Sequence, residues 1–92
     1  MILDELEEVL RSRRRADPEE SYTAKLLADP ELIQRKIMEE AFEVCLELGR
    51  EMNDPALTAQ EAADLIYHLL VGLVSVGVPL SEVFAVLERR RS

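Results

Sequence analysis

Three aspartate–proline steps, Asp17-Pro18, Asp29-Pro30 and Asp54-Pro55, cut the chain into segments that cannot join into one long helix. Proline lacks an N–H donor and disfavours helical backbone in the residue before it. Between the breaks, apolar residues recur at helical spacing, and no segment alternates convincingly with period two. Ile2, Leu3, Leu6, Val9 and Leu10 share one face of a first helix, which Asp17-Pro18 ends. Residues 21–28 allow one or two turns. Asp29 is expected to cap a long helix with Pro30 at its first position, running to about Met52. Asn53-Asp54-Pro55 breaks it, Thr58 is expected to cap the next helix, and that helix reaches about Val76 with Gly77 as its stop. Ser81 is expected to cap a last helix ending in Arg89-Arg90-Arg91, cations that suit a helix C-terminus. These segments predict an all-α fold with a single domain over residues 1–92.

A monomer of 92 residues buries only a modest core, yet 48% of the residues are hydrophobic. Some of the helices are apolar nearly all round, which points to a subunit interface. The net charge of −8 argues against non-specific nucleic-acid binding. A polyanionic substrate would then need local positive charge from metal ions or from the arginine clusters. Cys45 is the single cysteine, so no intrachain disulfide is expected, and it reads as a small buried apolar residue on a helix. Asp4, Glu5, Glu7 and Glu8 interrupt the N-terminal apolar residues, unlike a signal peptide. No apolar run reaches the roughly 20 residues of a membrane span. A cytoplasmic protein with no membrane partner is expected.

Two acidic motifs stand out: Glu39-Glu40-Ala41-Phe42-Glu43 and Glu61-Ala62-Ala63-Asp64. Each holds carboxylates three residues apart, which places them on one helix face. Facing carboxylate pairs make an oxygen-rich site for a hard divalent cation, and such an ion can clamp and polarise phosphate oxygens. On the long helix, Lys36, Glu40, Glu43 and Glu47 form a stripe about 100° from the apolar stripe of Ile33, Ile37, Ala41, Val44 and Leu48. The competing reading is a solvated face with Lys36 and Glu40 as a surface pair. From Ala62 to Val76 nearly everything is apolar or small, and Glu61, Asp64 and His68 share a face. An aspartate in that setting is costly unless it is paired or binds metal. Thr58-Ala59-Gln60-Glu61 also fits a capping box, which would give Glu61 a structural role. His68 reads either as a hydrogen-bonded core histidine or as a substrate contact; an oxygen-rich site argues against it as a metal ligand.

These residues resemble the phosphoribosyl-ATP pyrophosphohydrolases of histidine biosynthesis, a family related to the MazG-like all-α nucleoside-triphosphate pyrophosphohydrolases. The superfamily pattern of Glu-Glu-x-x-Glu, then Glu-x-x-Asp, is met by Glu39, Glu40 and Glu43, then Glu61 and Asp64, with 17 residues between Glu43 and Glu61. The stretch from Arg13 to Leu27, centred on Ser21-Tyr22-Thr23, looks like the family's N-terminal segment. Glu61 to Val71 looks like its Ala-Asp-Leu-Leu-Tyr-His signature, and the likeness reaches the closing helix from Val83 to Arg90. Met38 stands where the family usually has glycine before the Glu-Glu pair, where it is expected to narrow the space beside the acids. Asp29-Pro30 replaces a glycine-containing turn.

The resemblance implies a MazG-like helical bundle completed by dimerisation. It implies hydrolysis of phosphoribosyl-ATP between its α and β phosphates, giving phosphoribosyl-AMP and pyrophosphate, with Mg2+ (or Mn2+) held by Glu40, Glu43, Glu61 and Asp64. Glu39 then positions or deprotonates the attacking water. Arg13, Arg14, Lys25 and Lys36 are candidate phosphate contacts, Ser21 and Thr23 add hydroxyls, and Tyr22 and His68 complete the substrate-binding set. The Arg11–Arg15 segment is expected to fold over the acidic site of its own or the partner subunit. The chain has no room for a phosphoribosyl-AMP cyclohydrolase domain, so that next enzyme is expected as a separate protein. Two other classes remain: a house-cleaning enzyme for aberrant nucleoside triphosphates, and a non-catalytic helical dimer module.

Overall fold

The computed structural model describes residues 1–91, and every regular element among them is helical. Helix α1 spans Ile2–Ser12 and runs into a 3-10 turn over Arg13–Arg15. Then follow α2 (Tyr22–Leu27), α3 (Pro30–Leu48), α4 (Pro55–Ser75) and α5 (Leu80–Arg91). The all-α expectation holds. α3 and α4 form an antiparallel pair against which α1 and α2 pack. The two long helices approach closely at Gly72, where a Cβ would lie 3.3 Å from Ile37 Cδ1 and 3.4 Å from Ile33 Cγ2. Each α-helix supplies at least one residue to a single core of Leu10, Leu26, Ile33, Leu70, Val71, Val74 and Leu80.

The structure moves three helix boundaries. α3 stops at Leu48, short of Met52, because Gly49 closes it and the Asn53 side chain donates to the Glu47 carbonyl at 3.1 Å. α4 starts at Pro55 rather than after Thr58. The Asp54 carboxylate accepts from the Ala56 and Leu57 amides at 3.1 and 3.3 Å, so the Asp-Pro step is itself the start signal, as at Asp29. Thr58 therefore lies inside the first turn, where its hydroxyl accepts from Asn53 Nδ2 at 2.7 Å. No capping box forms, and Glu61 is free for another role. α5 begins at Leu80, one residue before Ser81, and its first amide donates to Glu7 Oε2 of α1 at 2.8 Å. A cap supplied across the fold replaces the local one. Gly77 ends α4 as expected. Its φ of 74° lets the Gly77 and Val78 amides return to Val74 and Leu73 at 3.1 and 3.0 Å.

α2 has six residues, too few to persist as an isolated helix. Ser21 Oγ caps it by accepting from the Ala24 amide at 3.1 Å, and Ala24 and Leu26 are buried. Other apolar residues have no cover within the chain. Met38, Phe42 and Leu46 form an exposed ridge at four-residue spacing on α3, and Phe84, Val86 and Leu87 are exposed on α5. Cys45 is exposed as well, contrary to the buried reading, because it stands on this outward side of α3. Among the described residues no single helix is long and apolar enough to cross a membrane.

Leu26 is fully buried where α2 enters the core. Leu26→Ala is expected to lower the unfolding free energy by roughly 2–5 kcal/mol, the cost of a buried Leu deletion. Denaturant unfolding checks it.

Candidate functional site

The buried positions of α3 are Ile33, Glu40 and Glu47, seven residues apart each time. The seam that α3 turns toward α4 thus carries two carboxylates. Glu40 is only 8% exposed. With Glu43 one turn further along α3 and Glu61 across on α4, it forms a group in which one oxygen from each residue lies within 4.8 Å of the others. Glu40 Oε2 and Glu61 Oε2 are buried with no hydrogen-bond partner among the described residues. Buried carboxylate oxygens in that state carry a substantial desolvation cost. Three converging carboxylates with orphaned oxygens fit a hard divalent cation by ligand chemistry.

The acids press on one another. Burial raises the Glu40 pKa above 4.5, and the Glu43 and Asp64 charges add to the rise while His68 opposes it. The Glu61 pKa is raised as well: the hydrogen bond its protonated form can share with Glu43 is the first cause, and burial and the charges of Glu43, Asp64 and Glu40 act the same way.

Three of the four expected metal ligands therefore come together. Asp64 lies one helical turn from Glu61, close enough to influence both shifted acids, but outside the tight group. It is exposed, which corrects the premise that it sits in apolar surroundings. Lys36 Nζ pairs with Glu39 at 3.9 Å rather than with Glu40, since Glu40 turns inward while Glu39 stays exposed. Met38 is exposed on the ridge with Phe42, well over 100° around the helix from Glu40 and Glu43. It does not narrow the acid group of its own chain.

The substrate-binding candidates divide. Tyr22 lies beside the acids. Burial raises its hydroxyl pKa, nearby Lys36 opposes the rise, and Tyr67, Glu40 and Glu39 reinforce it. Its hydroxyl bonds His68 Nε2 at 3.0 Å, and His68 Nδ1 lies 2.9 Å from the Asp64 carbonyl. Thr23 Oγ1 bonds the Tyr67 hydroxyl. Ser21 is occupied as the α2 cap. Lys25 is exposed and lines, with Pro18, Glu19, Glu20, Ser21 and Tyr22, an open cleft of about 520 Å3. Arg14 goes elsewhere: it donates to the Val74 carbonyl, at the C-terminal end of α4. That is ten residues past Asp64, about 15 Å along the helix at 1.5 Å per residue. Arg13 is exposed in the adjoining 3-10 turn. The arginine turn is thus held at the opposite end of α4 from the acids of its own chain.

Two residues in this region were not singled out as site residues from the sequence. Glu47 is buried on the seam, its Oε1 2.8 Å from Arg50 Nε, and it fastens the α3–α4 turn. Its place in the stripe with Glu40 and Glu43 was the available signal. Tyr67, which stacks on Tyr22 at 6.4 Å between ring centroids, stood next to His68 in the signature segment.

Comparison with known proteins finds relatives over nearly the whole chain. A model of the phosphoribosyl-ATP pyrophosphohydrolase family matches residues 3–91. The chain is 48% identical over 89 residues to a phosphoribosyl-ATP pyrophosphatase of Methylobacterium nodulans, covering 96% of this chain and 81% of that protein. It is 49% identical over 90 residues to one from Cereibacter sphaeroides, covering 97% and 85%. A histidine biosynthesis bifunctional protein HisIE of Photobacterium profundum is 44% identical over 93 residues, which span all of this chain and 44% of that protein.

Because Glu40 and Glu61 bind their protons more tightly folded than unfolded, metal-free stability falls as pH rises from about 4.5 through their raised pKa values. Glu61→Gln removes one of the repelling charges. It is expected to raise the melting temperature of metal-free protein at neutral pH and to flatten that pH slope, as read by thermal unfolding across pH 4–8 in chelator.

Proposed function

The chain belongs to the phosphoribosyl-ATP pyrophosphohydrolase family, and from that premise we propose that it is a cytoplasmic, magnesium-dependent homodimer. It hydrolyses phosphoribosyl-ATP to phosphoribosyl-AMP and pyrophosphate in histidine biosynthesis. The convergence of Glu40, Glu43 and Glu61 across the α3–α4 seam, with buried oxygens lacking partners, carries this reading. These three residues, with Asp64 at the exposed rim, hold the ion. Bound magnesium (or manganese) supplies charge neutralisation for the phosphates and the departing pyrophosphate. The protein's own groups supply the rest. Glu39, exposed beside Lys36, orients the attacking water and takes its proton. Lys36 and Lys25 give positive charge on the substrate side of an otherwise acidic chain.

The exposed ridge of Met38, Phe42 and Leu46 supports the dimer, because contiguous apolar surface marks an interface. An apolar groove of about 250 Å3 between α3 and α4, lined by Ile33, Ile37, Leu69, Gly72, Leu73 and Val76 among others, lies open as well. The relative named as a bifunctional protein of histidine biosynthesis supports a second, neighbouring activity in the same pathway.

Product analysis with phosphoribosyl-ATP and ATP, with and without magnesium, tests the activity. The expected result is phosphoribosyl-AMP and pyrophosphate, formed only with metal and much faster than AMP from ATP. Glu43→Gln and Asp64→Asn are each expected to lower turnover at limiting magnesium by tenfold to a hundredfold, roughly 1.5–3 kcal/mol for a lost charged contact. Near-normal turnover in both variants would sink the ligand assignment. Light scattering at micromolar concentration is expected to give twice the chain mass of 10.5 kDa, and a folded monomer would refute the dimer.

A further inference from the structure

His68 is 7% exposed, and both of its ring nitrogens have partners. A carbonyl oxygen only accepts, so the bond to Asp64 fixes the proton on Nδ1. In the neutral ring Nε2 is then bare and accepts from the Tyr22 hydroxyl. The buried imidazole has nothing left to offer a substrate or a metal. Tyr22 is different. It is 48% exposed, its ring meets the His68 ring edge-on at 6.0 Å, and it lines the open cleft with Lys25. The charges of Lys36, Glu39 and Glu40 all act on its hydroxyl. Its ring thus borders that cleft while its hydroxyl reaches in to His68 on the helix that carries Glu61 and Asp64. One residue further on, Thr23 bonds Tyr67, so two successive residues of α2 are tied to two successive residues of α4.

We infer that His68 is a positioning residue that acts through Tyr22. As an Nδ1–H imidazole it holds the Tyr22 hydroxyl from behind, and this fixes the ring as the wall on which the nucleoside part of the substrate rests while its phosphates reach the acids. The inference rests on the activity proposed above and deepens it by separating the two members of the pair. Tyr22 touches substrate through its ring, and His68 does not touch it. The role also explains why α4 tolerates a buried polar side chain among Leu70, Val71 and Val74. The ring is made rigid before substrate arrives, which lowers the ordering cost of binding.

Steady-state kinetics of Tyr22→Phe, His68→Leu, the double variant and His68→Gln test the coupling, alongside calorimetric Mn2+ binding. The first two variants are each expected to raise KM for phosphoribosyl-ATP about tenfold with kcat within about twofold, as for loss of about 1.4 kcal/mol. The double variant is expected to be no worse than either. His68→Gln, which keeps an acceptor for the tyrosine hydroxyl, is expected to recover part of the loss. Mn2+ affinity stays unchanged throughout. Additive KM effects would overturn the inference by making the two residues independent substrate contacts, and a fall in kcat with lost Mn2+ affinity would place His68 in the metal site. Stability loss without a change in KM would leave only a structural latch and overturn it equally. His68 is the single histidine of the chain, so its 15N resonances read the tautomer directly. An Nδ1–H imidazole whose Nε2 resonance shifts in Tyr22→Phe supports the pairing even if wild-type protein shows no turnover, a result that rejects the activity alone. An Nε2–H imidazole overturns the pairing even if turnover is normal.

Discussion

The packing of α3 against α4 governs the rest of the molecule. Two antiparallel helices bring a small set of facing positions together, and here the α3 set is Ile33, Glu40 and Glu47. At one end of the seam Ile33 and Ile37 face Gly72 so closely that a Cβ there would lie 3.3–3.4 Å from them. At the other end carboxylates occupy positions that apolar side chains would ordinarily fill. The close apolar contact holds the helices at a fixed spacing and so holds Glu40, Glu43 and Glu61 together against their mutual repulsion. The fold accepts a locally unfavourable cluster because Ile33, Leu70, Val71 and Val74 are buried in the core that the same two helices share. Raised pKa values at Glu40 and Glu61 are the electrostatic expression of that compromise.

α2 depends on the same scaffold. Six residues make too few hydrogen bonds to offset the cost of nucleating a helix. Its order comes from the Ser21 cap, from buried Ala24 and Leu26, and from the two side-chain bonds to α4. Because those bonds use Tyr22 and Thr23, the segment most adjacent to the acids is also the one most dependent on tertiary contacts. α5 shows the same reliance at longer range, since its first amide is satisfied by Glu7 of α1. The placement of Arg14 follows an equally simple rule. A cation at the C-terminus of α4 meets the last carbonyls and the negative end of the helix dipole, which is a favourable seat for guanidinium and an unfavourable one for a phosphate.

The residues fixed much of this before any coordinates. Helical spacing with no strand pattern, broken by Asp-Pro steps and Gly77, defines the elements, because proline and glycine act on the backbone locally. The spacing of Glu40 with Glu43, and of Glu61 with Asp64, places each pair on one face of its own helix, because 3.6-residue periodicity is also local. What only the tertiary structure decided is which face meets which. It showed Glu40 and Glu47 inward and Met38, Phe42 and Cys45 outward, which a wheel drawn for one helix cannot choose. It removed the capping box at Thr58 by starting α4 at Pro55, and with it the structural claim on Glu61. It exposed Asp64, tied His68 to Tyr22, and sent Arg14 to the far end of α4. Each of these is a contact between residues distant along the chain, and a linear pattern carries the chemistry of such residues without their distances.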